Sequence, residues 1–153
     1  MPDNQILTVD DRFAIQKLLG EYVFGADTKD WDRVAAVYTP DAVLSVSFAD
    51  YIPEGAQFTG EMSGSRAIVE AMSIQFANYD RTQHFLGATL LEPTADGAHA
   101  QTQLIAHHHR GAAFYHTGAT YEDELTRTPD GWRITRRRLR ISWTTGDPSV
   151  SIA

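Results

Sequence analysis

Cysteine is absent from all 153 residues. That removes disulfide frameworks, thiol nucleophiles and cysteine-ligated zinc together. No stretch approaches the ~18 uninterrupted apolar residues of a membrane-crossing helix. Residues Met1 to Arg12 hold no basic segment followed by an apolar one, so a cytoplasmic protein with no membrane partner is expected. Positive charge is scarce as well: 13 Lys and Arg stand against 20 Asp and Glu, a net charge of −7. Nucleic-acid affinity comes mainly from neutralising phosphates, so no nucleic-acid partner is expected. The one basic run is Arg136, Arg137, Arg138 and Arg140. On a strand its members alternate between faces and make no single patch.

What remains is ordinary for a folded domain: 42% hydrophobic and 22% charged residues, with a length that suits a single domain over 1–153. Thr8 and Asp11 read as a capping box, followed by Ile15, Leu18, Leu19 and Tyr22 at helical spacing. The pattern predicts a helix from Val9 to Ala26. A second helix is predicted from Lys29, with Trp31, Val34 and Tyr38 on one face and Pro40 as its stop. A strand follows over Ala42–Phe48. Next comes a loop holding Pro53, Gly55 and Gly60 that can flap over a pocket, and a helix from Gly64 and Ser65 with Ile68, Met72 and Phe76 aligned. Strands are predicted over Thr82–Leu91, His99–Arg110, Ala112–Arg127 and Trp132–Thr144, joined at Asp96-Gly97 and Asp130-Gly131. Helices first and an antiparallel meander afterwards indicate an α+β fold.

The run from Gly20 through Ala26-Asp27-Thr28 to Asp32 resembles the opening motif of SnoaL-like proteins. The segments Tyr38-Thr39-Pro40-Asp41-Ala42, Thr82-Gln83-His84-Phe85-Leu86-Gly87, Ala106-His107-His108, Gly118-Ala119-Thr120-Tyr121 and Asp130-Gly131-Trp132-Arg133-Ile134 continue it in order. The resemblance covers roughly Asp10 to Thr145. It implies the NTF2-like cone-shaped barrel, a curved and mostly antiparallel sheet wrapped around N-terminal helices with an internal pocket. Relatives of this kind include scytalone dehydratase, bile-acid dehydratases and hexachlorocyclohexane dehydrochlorinase, together with polyketide cyclases, epoxide hydrolases, steroid isomerases and non-catalytic members. Fold alone therefore leaves the reaction open.

The family's dehydratases and dehydrochlorinase keep a carboxylate beside a histidine, and Asp27 and His84 match those positions. A carboxylate that accepts one imidazole N–H orients the ring and stabilises the imidazolium formed when the other nitrogen takes a proton. Without the resemblance, an Asp ending a helix and a His in a strand have ordinary readings as solvent-facing and half-buried residues. Tyr22 matches a pocket tyrosine, although its place beside Ile15, Leu18 and Leu19 also suits plain core packing. His108 matches a second pocket histidine able to protonate a leaving hydroxyl. It shares a strand face with Leu104 and Ala106, while His107 and His109 point the other way; which face is inward stays open. Arg140 resembles an arginine that binds a substrate carboxylate or carbonyl. Trp31, Leu44, Val46 and Leu104 complete the expected substrate-binding set.

The first strand departs from the dehydratase pattern, with Leu44, Val46 and Phe48 around Ser45 and Ser47 where those relatives place a tyrosine. A small apolar substrate is expected instead. His107 and His109 could chelate a metal from one strand face, but no third ligand is evident in sequence, and His99 and His116 read as surface or loop residues. Neither metal nor cofactor is expected. The reading is a cofactor-independent lyase, dehydration first, or an isomerase. The alternatives are a polyketide cyclase, an epoxide hydrolase, whose Asp-Arg-Asp arrangement lacks a matching second carboxylate here, and a non-catalytic binding or assembly protein. A homodimer or homotrimer is expected through the outer sheet face, with Tyr115, Tyr121 and Trp143 as contacts.

Overall fold

A computed structural model describes residues 6–50 and 60–151. Helix α1 (Val9–Thr28) opens on the expected capping box. The Thr8 hydroxyl accepts the Asp11 N–H at 3.1 Å, and the Asp11 carboxylate accepts the Thr8 N–H at 2.9 Å. Asp11 also receives the Trp132 indole N–H at 3.1 Å and pairs with Arg127 at 2.6 Å. The helix start is thereby tied to the last hairpin. These bonds, that of Thr8 foremost, hold the Asp11 carboxyl well below the usual carboxylate range.

The chain leaves α1 through Lys29, whose left-handed φ of 57° lets the Lys29 and Asp30 amides bond back to the Ala26 and Gly25 carbonyls. Asp30 then caps α2 (Trp31–Ala35) by accepting the Arg33 N–H. Gly25 is required here, because a Cβ would lie 2.9 Å from Val34 Cγ2. Helix α2 is shorter than the apolar spacing predicts, and Tyr38 belongs to the first strand. Pro40 disfavours helical geometry at Thr39, and the Val37 carbonyl is already taken by the Ile134 N–H at 2.9 Å.

Strand β1 (Tyr38–Phe48) thus starts earlier than expected and runs through Pro40, with a register irregularity between Tyr38 and Val43 that absorbs the missing N–H. Then follow β2 (Gly60–Ser63), α3 (Ser65–Phe76), β3 (Arg81–Thr94), β4 (Gly97–Arg110), β5 (Ala113–Thr128), β6 (Gly131–Gly146) and a short 3-10 turn, Pro148–Ser151. The expected loop residues Pro53 and Gly55, and with them the flap, lie outside the described residues. Gly60 opens β2, a short polar edge strand that carries no alternation signal.

The six strands form one sheet in the order β2-β1-β6-β5-β4-β3. The hairpins β3–β6 are antiparallel, as the Asp-Gly turns indicate, whereas β1 lies parallel to β6. Register shifts at Leu86/Thr89, Gly118/Ala119 and Glu124/Leu125 sharpen the curl. The result is the NTF2-like α+β cone, with α1 and α3 closing the concave face. Ile15, Leu19 and Tyr22 from α1 and Ile68, Met72 and Phe76 from α3 are buried against inward residues such as Leu104, Ile134 and Ile141. Each large side chain so buried contributes roughly 1.5–3 kcal/mol. Strand β4 turns small residues, Ala98, Ala100 and Ala106, towards the helices. Filling there is incomplete, and a cavity remains.

The basic run is divided between faces, as alternation requires. Arg137 is fully buried, Arg136 and Arg138 pair with Glu61 and Glu124, and Arg140 is exposed. No helix among the described residues is long and apolar enough to cross a membrane.

Candidate active site

The cavity between α1, α3 and the concave sheet has a volume of about 350 Å³, within the range of small-molecule sites. Its walls are mainly apolar, with Leu44 and Val46 from β1, Met72 and Phe76 from α3, Leu104 from β4 and Leu139 from β6. Polar side chains enter from His84, His108 and Thr117, from the tyrosines 22, 79, 115 and 121, and from Gln75 and Ser151, which bond the Tyr79 hydroxyl.

His84 reaches the cavity because β3 alternates, and the last turn of α1 brings Asp27 behind its ring. Asp27 Oδ1 lies 2.7 Å from His84 Nδ1 and accepts the Thr82 hydroxyl at 2.9 Å, while Oδ2 accepts the His84 backbone N–H at 2.9 Å. The carboxylate therefore receives three hydrogen bonds, all from one strand segment. Burial pushes its pKa up, but the bonds and charge of His84, with Thr82, outweigh burial and hold it below the ordinary value. With Nδ1–H given to a carboxylate, His84 presents Nε2 as its free nitrogen. The His84 side chain is 6% exposed and that of Asp27 21%. Phe76 stacks parallel to the imidazole, with ring centroids 5.9 Å apart.

His108 faces inward from β4, which settles the choice between it and His107. Its ring stands perpendicular to that of His84 at 5.9 Å, and its Nδ1 donates to the Tyr115 carbonyl at 2.8 Å. Burial first, then the charge of His84, pushes His108 down to about 4. It is neutral at neutral pH, and with Nδ1–H given to a carbonyl its Nε2 is a hydrogen-bond acceptor.

The depressed value also predicts a pH dependence of stability. Between about 4 and the unfolded value of 6.5 the unfolded chain binds a proton at His108 that the folded chain refuses. Stability therefore rises with pH across that window, and is lost as pH falls through it by on the order of 3 kcal/mol. Urea denaturation of wild type and His108→Asn at both ends of the window should show a much flatter dependence in the variant. Equal slopes would refute the assignment.

Tyr22 is both core and cavity wall. Its hydroxyl donates to Met72 Sδ at 3.8 Å, and its ring packs edge-on against Tyr38 and Tyr121. Two expected binding residues are placed elsewhere. Arg140 is exposed on the outer face because its neighbour Leu139 takes the inward position. Trp31 packs edge-on against Phe76 behind the cavity wall. Tyr115 and Tyr121, expected on the outer face, are buried and face inward. The Tyr115 hydroxyl has no hydrogen-bond partner among the described residues.

Sequence reading missed what lies beneath the tyrosines. Arg137 makes two 2.7 Å hydrogen bonds to Asp123, and both side chains are fully buried. The guanidinium lies 4.2 Å from the Tyr22 ring centre and 3.8 Å from that of Tyr121. Burial alone would lower its pKa, but the Asp123 charge overrides this and keeps it cationic. The signal was the hairpin register, which sets Asp123 opposite Arg137.

Residues 7–138 match the SnoaL-like domain family. An uncharacterised protein of Mycobacterium tuberculosis is 30% identical over 138 residues, 86% of each chain. A scytalone dehydratase of Aspergillus fumigatus is 24% identical over 156 residues, 92% of this chain and 87% of its own. Among solved structures, a proposed aromatic ring hydroxylase from Novosphingobium aromaticivorans superposes with a TM-score of 0.79 at 26% identity, covering 96% of this chain and 99% of that one. Cone fold, cavity and match over most of its length together establish that this chain belongs to the SnoaL-like domain family, within the NTF2-like superfamily.

Proposed function

We propose that this protein is a cofactor-independent lyase, a dehydratase by first choice, acting on a small apolar organic molecule. The observation that carries the reading is the 2.7 Å contact between Asp27 and a His84 ring that lines the cavity. The existence of a dehydratase relative supports the reaction class.

In the proposed reaction His84 Nε2 removes a proton from carbon beside an electron-withdrawing group. The C–H electron pair becomes the new double bond, and the C–O bond to the leaving hydroxyl breaks. The same imidazolium then returns its proton to that hydroxyl, which departs as water. Asp27 compensates the transient charge on His84. His108, being neutral, accepts a hydrogen bond from the substrate and orients it. Tyr22 and Tyr115 line the cavity, and their hydroxyls are suited to a substrate carbonyl oxygen. The apolar walls of Leu44, Val46 and Leu104 exclude water and select the hydrocarbon frame.

A thermal-shift screen of small apolar hydroxy-carbonyl compounds, followed by mass spectrometry of those that stabilise the protein, tests the reading. Loss of water from a stabilising compound is the expected result. Compounds that bind and persist unchanged would favour a binding protein instead.

Assembly is part of the same proposal. Phe85, Ile105 and Trp143 are exposed on the outer sheet face, and their contiguous apolar surface suits a second copy. Light scattering at micromolar concentration should give the mass of a dimer or trimer. A monomer mass would contradict it.

A further inference from the structure

The outer face of the sheet carries a second histidine group that the proposed reaction does not use. His107 and His109 alternate with inward His108 on β4, and His116 lies directly opposite His107 on β5. The His116 and His109 Nε2 atoms are 3.3 Å apart, and the His107 and His116 ring centres 4.3 Å apart. All three rings are partly exposed.

We propose that His107, His109 and His116 form a binding site for a divalent transition-metal ion of the zinc class, independent of the cavity. Two nitrogens bound to one tetrahedral zinc at about 2.0–2.1 Å must stand roughly 3.3–3.4 Å from each other. The His109–His116 pair already has that spacing. The third ligand missing from the sequence pattern is supplied by strand pairing, since two histidines at i and i+2 and one on the neighbouring strand define a triangular face. Among the described residues no three such side chains yet close around a common point, so the His107 ring must turn about its side-chain torsions to complete the set. Solvent fills the remaining coordination position.

A proton shared between His109 and His116 would also explain their short separation, but it gives His107 no part and predicts no metal affinity. The test is calorimetric titration of zinc chloride into the intact protein near neutral pH. Saturation at one zinc per chain is expected, with affinity reduced at least about tenfold in His116→Ala and in His109→Ala. His84→Ala and His99→Ala should bind zinc as wild type does. Circular dichroism checks folding, and either of the first two variants reads the site if the other fails to fold. Absence of saturable binding, wild-type affinity in His116→Ala, or loss confined to His84→Ala would each overturn the proposal.

Discussion

His84→Ala should lower turnover by about 10² or more on any substrate the protein converts, because in the proposed reaction it removes the proton acceptor itself. Asp27→Asn lowers it strongly too, by a different route. An amide has a single acceptor oxygen: with that oxygen on the His84 backbone N–H, its NH₂ takes the place that faces Nδ1 and the Thr82 hydroxyl, reverses the tautomer at Nδ1, and leaves no charge to compensate an imidazolium. The two changes damage one unit, so the double variant should be little worse than His84→Ala alone. Full additivity in kcat would mean that the residues act separately. Folding should survive each change, since the core beneath is built by α1, α3 and β4 rather than by this pair.

Arg137→Ala should be the most destabilising single substitution near the site. It leaves the Asp123 carboxylate fully buried without its cation and opens a void between the Tyr22 and Tyr121 rings. Breaking a buried pair in this way costs about 3–5 kcal/mol, against a total stability of roughly 5–15 kcal/mol for a domain. Replacing both partners with apolar residues, Asp123→Leu with Arg137→Met, removes the stranded charge and should recover much of the loss. Urea denaturation of the two variants checks this. A cost below about 1 kcal/mol for Arg137→Ala would show that the pair is not buried as described.

What could be read in advance divides along physical lines. Helix α1 and its cap, the aligned Ile68, Met72 and Phe76 of α3, and the Asp-Gly hairpins are local signals, and each forms as its pattern indicates. The proximity of Asp27 to His84 came through motif register, not through the residues themselves, since 57 positions separate them. Orientation was the weak point. Alternation places Tyr115 with Thr117 and Tyr121, and Arg137 with Leu139, but it cannot say which face the helices will cover. Sequence alone therefore suggests Tyr115 and Tyr121 outward and Arg140 inward, and both orientations reverse once α1 and α3 close the concave side. His116 reads as a surface or loop residue for a related reason, because its neighbours His107 and His109 are supplied by pairing between strands.

Deuterium uptake from heavy water into compounds that bind the cavity reads proton abstraction without requiring that the product be known. Compounds that stabilise the protein and carry an acidic carbon would be incubated with wild type and with folded His84→Ala, then weighed by mass spectrometry. Proton removal by His84 predicts exchange with wild type and its loss in the variant. Equal exchange in the two proteins, or none from wild type with a bound compound of that kind, would contradict it.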